Sequence, residues 1–218
     1  ALSDRGANFP DRAGTLSEVK ARTRDALETV QPQVGFLNAI RAALPRDGFF
    51  VEELTQVGFA SNVAFPVFEP RTYVTCGYQG TLGFGFPTAL GVKAANPDRA
   101  VVSVTGDGGF LFAVQELATA AQFGLDVVVA VFNNEGFGNV RRDQETLFEG
   151  RVIGAELQNP DFVALARSFA IAAWQCDDAD GLGQALGEAL ATNAPALIEV
   201  RIEPGTEATP WPFIHPPA

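Results

Sequence analysis

One acidic side chain in this sequence stands where an anion would be expected to bind. The apolar run Ala100 to Val104 leads directly into Thr105, Gly106, Asp107, Gly108, Gly109 and Phe110, with a helix expected from about Ala113. A strand, a glycine turn and a helix start make an anion site: glycines let the backbone approach a ligand, and free N–H groups attract phosphate. Asp107 is out of place in such a site. A carboxylate about 4 Å from a phosphate charge costs on the order of several kcal/mol at intermediate dielectric, so a cation must lie between them. Mg²⁺ suits the position, because it is held by one or two carboxylates together with phosphate oxygens.

The next apolar run, Val127 to Phe132, supplies further oxygen ligands. It ends in Asn133, Asn134, Glu135, Gly136, Phe137 and Gly138, so two amides and a glycine turn should emerge at the same sheet edge as Asp107. The Asn134 amide oxygen and the Gly136 carbonyl are neutral, hard ligands. With Asp107, about two diphosphate oxygens and a water they complete an octahedron. Taken alone, either half is an ordinary turn; the pair on neighbouring strand ends is far more specific. Gly106-Asp107-Gly108-Gly109 is not a GxGxxG fingerprint, and a Walker lysine is missing, the lysines being Lys20 and Lys93.

Composition removes other chemistries. With 26 acidic and 15 basic residues and a net charge of -11, the chain repels nucleic acid and anionic lipid. No apolar stretch approaches the roughly 20 residues that span a bilayer. Cys76 and Cys176 form no CxxC motif, and the single histidine, His215, lies in a Pro-rich tail. A disulfide framework, a zinc centre and a Ser/His/Asp triad are therefore not indicated, and a soluble, cytoplasmic setting is expected.

The positioning elements follow from periodicity. Short apolar runs at Phe49 to Val51, Thr72 to Thr75, Ala100 to Val104, Val127 to Phe132, Ile171 to Trp174 and Leu197 to Ile202 have the length of buried strands. Helical spacing occurs at Val34 to Leu44, Phe84 to Ala95, Ala113 to Phe123, Asp161 to Ala170 and Gly181 to Thr192. This alternation predicts an α/β fold, a mostly parallel sheet of about six strands with helices on both faces, whose ligands bind at the carboxyl ends of the strands. The charged segment 1–33 reads as an interdomain linker, 34–203 as the folded domain, and 204–218, with five prolines, as an extended tail.

The run GDGGF followed by NNEGFG resembles the diphosphate-binding signature of thiamine diphosphate-dependent enzymes. GYQGTLGFGFPTALGVKAANPDRAVV, from Gly77 to Val102, resembles the preceding segment in the acetolactate synthase-like branch. The similarity runs roughly from Val34 to Ile202 and implies the C-terminal cofactor-binding domain of that family. By this resemblance Asp107, Asn134 and the Gly136 carbonyl bind Mg²⁺, and Gly108, Gly109 and Phe110 offer N–H groups to the diphosphate. Within the same cofactor-binding set, Gly106, Phe137 and Gly138 flank the signature. The Gly80 carbonyl meets the cofactor's exocyclic amine, beside Thr81, and Leu82 is the apolar wedge that bends the cofactor; Leu82 as simple core is the competing reading. Thr55 and Gln56 occupy a position where relatives present polar groups to the diphosphate, although ELTQVG departs from the usual GQH-type pattern.

The resemblance further implies decarboxylation of a 2-oxo acid, followed by protonation or carboligation. The required glutamate belongs to a pyrimidine-binding domain, on the same or a partner chain of a homodimer or homotetramer, so no catalytic acid is assigned here. A benzoylformate-type simple decarboxylase is the alternative within the cofactor class. A non-catalytic assembly module is the alternative outside it, disfavoured by intact Asp107 and Asn134. Arg141, Arg142 and Arg151 read as solvated surface, and Glu116 as surface or interface.

Overall fold

The computed structural model describes residues 11–77 and 79–215. Six strands form one parallel sheet: β1 (Phe49–Glu52), β2 (Tyr73–Val74), β3 (Val101–Gly106), β4 (Val127–Asn133), β5 (Ala172–Cys176) and β6 (Ala196–Arg201), in the order β2-β1-β3-β4-β6-β5. β4 is buried along its whole length, as its unbroken apolar run requires of a strand covered on both faces. Its side chains alternate: Val128, Ala130 and Phe132 enter one core, Val127, Val129 and Val131 the other.

Helices cover both faces. The first core is closed by α2 (Gln33–Ala43), α3 (Gln56–Ala64) and α9 (Ala179–Ala191), through Phe36, Ile40, Val57 and Leu186. The second is closed by α4 (Gly85–Ala95), α5 (Asp107–Leu111), α6 (Leu117–Phe123) and α8 (Phe162–Ser168), through Phe86, Phe110, Leu117 and Phe162. The chain leaves β1 for the first face and leaves the adjacent β3 for the second. Neighbouring strands that send their connections to opposite faces open a crevice at their carboxyl ends.

Several boundaries differ from the sequence expectations. The helix predicted over Ala113 to Phe123 is divided: α5 begins at Asp107 itself, a 3₁₀ turn spans Val114–Glu116, and α6 follows. The strand expected at Thr72 to Thr75 contracts to Tyr73–Val74 at the sheet edge. Helix α1 (Ala13–Leu27) lies inside the segment read as a linker. It presents almost only exposed side chains, which is why no apolar period marks it, yet Leu27 and then Val30 are buried in the first core. Apolar packing thus starts before Val34. Residues 1–10 of that segment and 216–218 of the tail lie outside the described residues. The tail also departs from an extended form. It carries a helical turn, α10 (Trp211–Ile214), whose Trp211 ring packs 4.9 Å from Phe59 of α3. No helix is long and apolar enough to cross a membrane among the described residues.

Candidate cofactor site

Register places the two loops together. β3 and β4 pair in parallel with Gly106 opposite Phe132, so Asp107 and the Asn133–Asn134 pair leave the sheet side by side. Gly136 N–H donates to Asp107 Oδ2 at 3.1 Å across 29 residues of sequence. Asp107 is 2% exposed. Burial pushes its carboxyl above the ordinary aspartate range, against the pull of hydrogen bonds from Asn159 and from the Gly108 and Gly136 amides.

A cleft of about 210 Å³ opens above these residues. Leu54, Thr55 and Gln56 enter it from β1, Gly106, Asp107, Gly108 and Gly109 from β3, and Phe132, Asn134, Gly136, Phe137 and Gly138 from β4. Leu82 and Phe59 close its apolar side. Nine of the sequence-assigned residues thereby share one cleft: Leu82, Gly106 to Gly109, Asn134 and Gly136 to Gly138. Gly80, Thr81 and Phe110 do not line it. Gly80 has φ +58°, with Leu54 against the position a Cβ would take, and Thr81 is exposed. The Phe110 ring lies in the second core, 5.6 Å from Phe86 and 5.8 Å from Phe162.

The glycines have a further reason beside the close approach of a ligand. A Cβ on Gly108 would collide with the Phe137 ring and with Leu157, and one on Gly109 with the Glu53 carboxylate. These two glycines are required by protein side chains, whatever ligand the cleft receives. Gly136 is likewise confined, since a Cβ there would lie 2.7 Å from the Ala155 carbonyl oxygen, where Gly136 bridges antiparallel to Glu156.

Three organising residues escaped the sequence reading. Glu53, at 0% exposure, follows β1 and accepts from the Gly83 amide at 2.6 Å and the Gly85 amide at 2.7 Å. It ties the loop bearing Gly80 and Leu82, and the start of α4, to the end of β1. Burial raises its carboxyl, while those amides and the Thr105 hydroxyl favour the ionised form. Asn159 donates from one Nδ2 to Asp107 Oδ2 at 2.7 Å and to Asn133 Oδ1 at 2.8 Å. Its Oδ1 is buried with no partner. Asn133 in turn donates to buried Glu199 at 2.7 Å, so it braces the loop and leaves Asn134 to face the cleft. Glu207, from the tail, accepts from Asn134 Nδ2 at 2.8 Å. Burial, and secondly the nearby Asp107 charge, raise its carboxyl. An EE dipeptide, an NPD turn and a Pro-rich tail carry no periodic signal that would separate these residues from surface.

The arginines are mostly surface, as read. Arg141 pairs with Glu145 at 3.0 Å in an exposed i,i+4 bridge. Arg142 differs, donating to Asn139 and to Thr209 of the tail at 2.6 and 2.8 Å.

The chemistry of the donor set is restrictive. One carboxylate, one amide oxygen and a backbone carbonyl are all hard oxygen donors, suited to Mg²⁺ and poor for soft metals. Among the described residues no backbone amide donates to the Gly136 carbonyl, and no three acidic, His or Cys side chains gather into a metal site. Such a set holds Mg²⁺ firmly only when phosphate oxygens complete the shell.

The chain is 35% identical over 191 residues to a probable 2-ketoarginine decarboxylase of Pseudomonas aeruginosa, covering 87% of this chain and 34% of that protein. It is 33% identical over 185 residues to the acetolactate synthase isozyme 1 large subunit of Escherichia coli, covering 84% and 33%. In structure it resembles the thiamine diphosphate-dependent 4-hydroxybenzoylformate decarboxylase of Rhodococcus jostii RHA1, with a TM-score of 0.73 and 32% identity over 78% of this chain and 32% of that one. The chain thus spans about a third of the length of these relatives. Residues 54–200 match the model of the thiamine pyrophosphate enzyme C-terminal TPP binding domain, and the chain belongs to that family.

Proposed function

We propose that this chain is the diphosphate- and Mg²⁺-binding part of a thiamine diphosphate-dependent enzyme that decarboxylates a 2-oxo acid, with carboligation in the acetolactate synthase manner as the first reading. The observation that supports it is the 3.1 Å bond from Gly136 N–H to Asp107 Oδ2, which joins the loops after β3 and β4 beside the cleft. Asp107 Oδ, Asn134 Oδ1 and the Gly136 carbonyl would hold Mg²⁺, and the amides of Gly108, Gly109 and Phe110 would face the diphosphate. When bound, the thiazolium cofactor supplies an electron sink for the carbanion left by loss of carbon dioxide.

The chain's own residues bind and orient. Leu82, with Leu54 behind Gly80, gives the thiazolium an apolar wall. Glu53 fixes the Gly83 and Gly85 amides and so the height of that wall. Phe59 and Phe137 exclude water from the cleft's flanks. The glutamate that moves the proton at the aminopyrimidine would come from a pyrimidine domain of the same or a partner chain, in a homodimer or homotetramer. A cytoplasmic location fits the free Cys76 and Cys176.

A simple decarboxylase is the second reading, favoured by the likeness to two proteins named as decarboxylases. Product analysis of the intact protein with pyruvate decides between them: acetolactate supports carboligation, aldehyde alone supports the second. Calorimetry with thiamine diphosphate and Mg²⁺ tests the cofactor assignment itself. No heat of binding by the intact protein would overturn both readings.

A further inference from the structure

The tail is fastened beside the cleft at several points that share one effect. Ala208 N–H donates to the Gln31 carbonyl at 3.0 Å, and the Gln33 side chain donates back to the Ala208 carbonyl. Arg142 holds Thr209 at 2.8 Å, and Trp211 Nε1 donates to Asn139 Oδ1 at 3.1 Å. Pro210 is buried. These ties follow residue 207 directly, and Ile202 N–H to the Asn133 carbonyl at 2.8 Å anchors the chain before it, which together restrict where that side chain points. Glu207 meets Asn134 Nδ2 at 2.8 Å.

Asn134 is confined from the other side as well. A Cβ on Gly138 would lie 2.7 Å from Asn134 Nδ2, so a side chain there would push the amide from its present place. An asparagine amide is nearly symmetric in shape, and nothing in its own structure decides whether oxygen or NH₂ faces a cation. An accepting oxygen beside it settles the choice, and an ionised carboxylate offers nothing else. With NH₂ turned to Glu207, the Asn134 oxygen is the atom left for a metal.

Resting on the metal assignment proposed above, we infer that Glu207 is a positioning residue: the C-terminal strap delivers its carboxylate to lock the Asn134 side chain with Oδ1 toward the cation. Outer partners of this kind orient ligands without touching the metal. The tail, read from sequence as an appendage, is then part of the metal site.

The test is a titration of the intact protein with Mn²⁺, in the presence of thiamine diphosphate, following free Mn²⁺ by electron paramagnetic resonance. Unsubstituted protein is compared with D107A, E207A and E207Q, and thermal melting without metal confirms that each variant folds. Glu207→Ala should weaken Mn²⁺ binding about 10- to 100-fold, the usual cost of an outer-shell partner. Glu207→Gln keeps a carbonyl that can accept from Asn134 and, being isosteric, should return affinity to the order of magnitude of the unsubstituted protein. Unsubstituted affinity in E207A overturns the inference while leaving the metal assignment standing, provided D107A loses the ion. Equal weakness in E207Q and E207A also overturns it, because charge rather than amide orientation would then be responsible. If the unsubstituted protein binds no better than D107A, the metal assignment itself falls.

Discussion

Gly136 and Asp107 are joined by a 3.1 Å hydrogen bond, backbone amide to carboxylate, although they belong to loops after different strands. The bond follows from the parallel pairing of β3 with β4, which sets Gly106 against Phe132 and leaves both loops on one rim. Asp107 is thereby buried and directed at the loop that offers Asn134 and the Gly136 carbonyl. An acid in that position disfavours a bare phosphate and favours a phosphate bridged by a divalent ion.

Glu53 and Gly109 should be energetically coupled. Gly109→Ala places a methyl group against the Glu53 carboxylate and should cost about 1–3 kcal/mol by overpacking. Glu53→Ala strands the Gly83 and Gly85 amides, at about 1–3 kcal/mol for each unsatisfied group. In the double variant the collision is gone, so urea unfolding should give a loss smaller than the sum of the two single losses. Simple additivity would mean that the two groups do not share space.

The same carboxylate predicts a sign for pH dependence. Burial raises the Glu53 pKa above the ordinary 4.5. A group that binds its proton more tightly when folded contributes stability that is fully present below the unfolded pKa and is lost as pH rises through the folded one. The stability of the metal-free protein relative to its E53Q variant should therefore fall as pH rises above the ordinary 4.5. Urea midpoints that diverge in favour of the unsubstituted protein with rising pH would contradict this.

Asn159 joins Asp107 to Asn133 through one amide. Asn159→Ala should cost about 1.5–3 kcal/mol, the range for a hydrogen bond to a charged group. Asn159→Asp should be worse in the absence of metal, since it sets a second carboxylate against Asp107. Thermal melts of the two variants give the order. An N159D variant as stable as the unsubstituted protein would mean that Asp107 is not ionised there.

Much of this was legible because the relevant signals are local. β3 and β4 are unbroken apolar runs that end in glycine and asparagine turns, so the fold class and the meeting of the Asp107 loop with the Asn134–Gly136 loop at one sheet edge could be read from residue types alone. The rest depends on long-range packing. Helix α1 is solvated except for Leu27, and α7 (Gly138–Leu147) buries no residue, so neither shows a periodic apolar face. Helix α5 starts at Asp107 because Gly106 is extended and Phe110 reaches the second core, which the glycine-rich sequence does not announce. Glu53, Asn159 and Glu207 are polar residues whose burial arises only when segments 32, 52 and 73 residues away in sequence close over them.

The central claim is tested most directly by thiamine diphosphate binding to the intact protein, with and without Mg²⁺, for the unsubstituted chain and for D107A. Mg²⁺-dependent binding is predicted to be lost in D107A by at least the roughly 10- to 100-fold that an outer-shell partner costs, with melting of the sheet retained. Equal affinity in the two proteins, or binding indifferent to removal of the metal, would contradict the account.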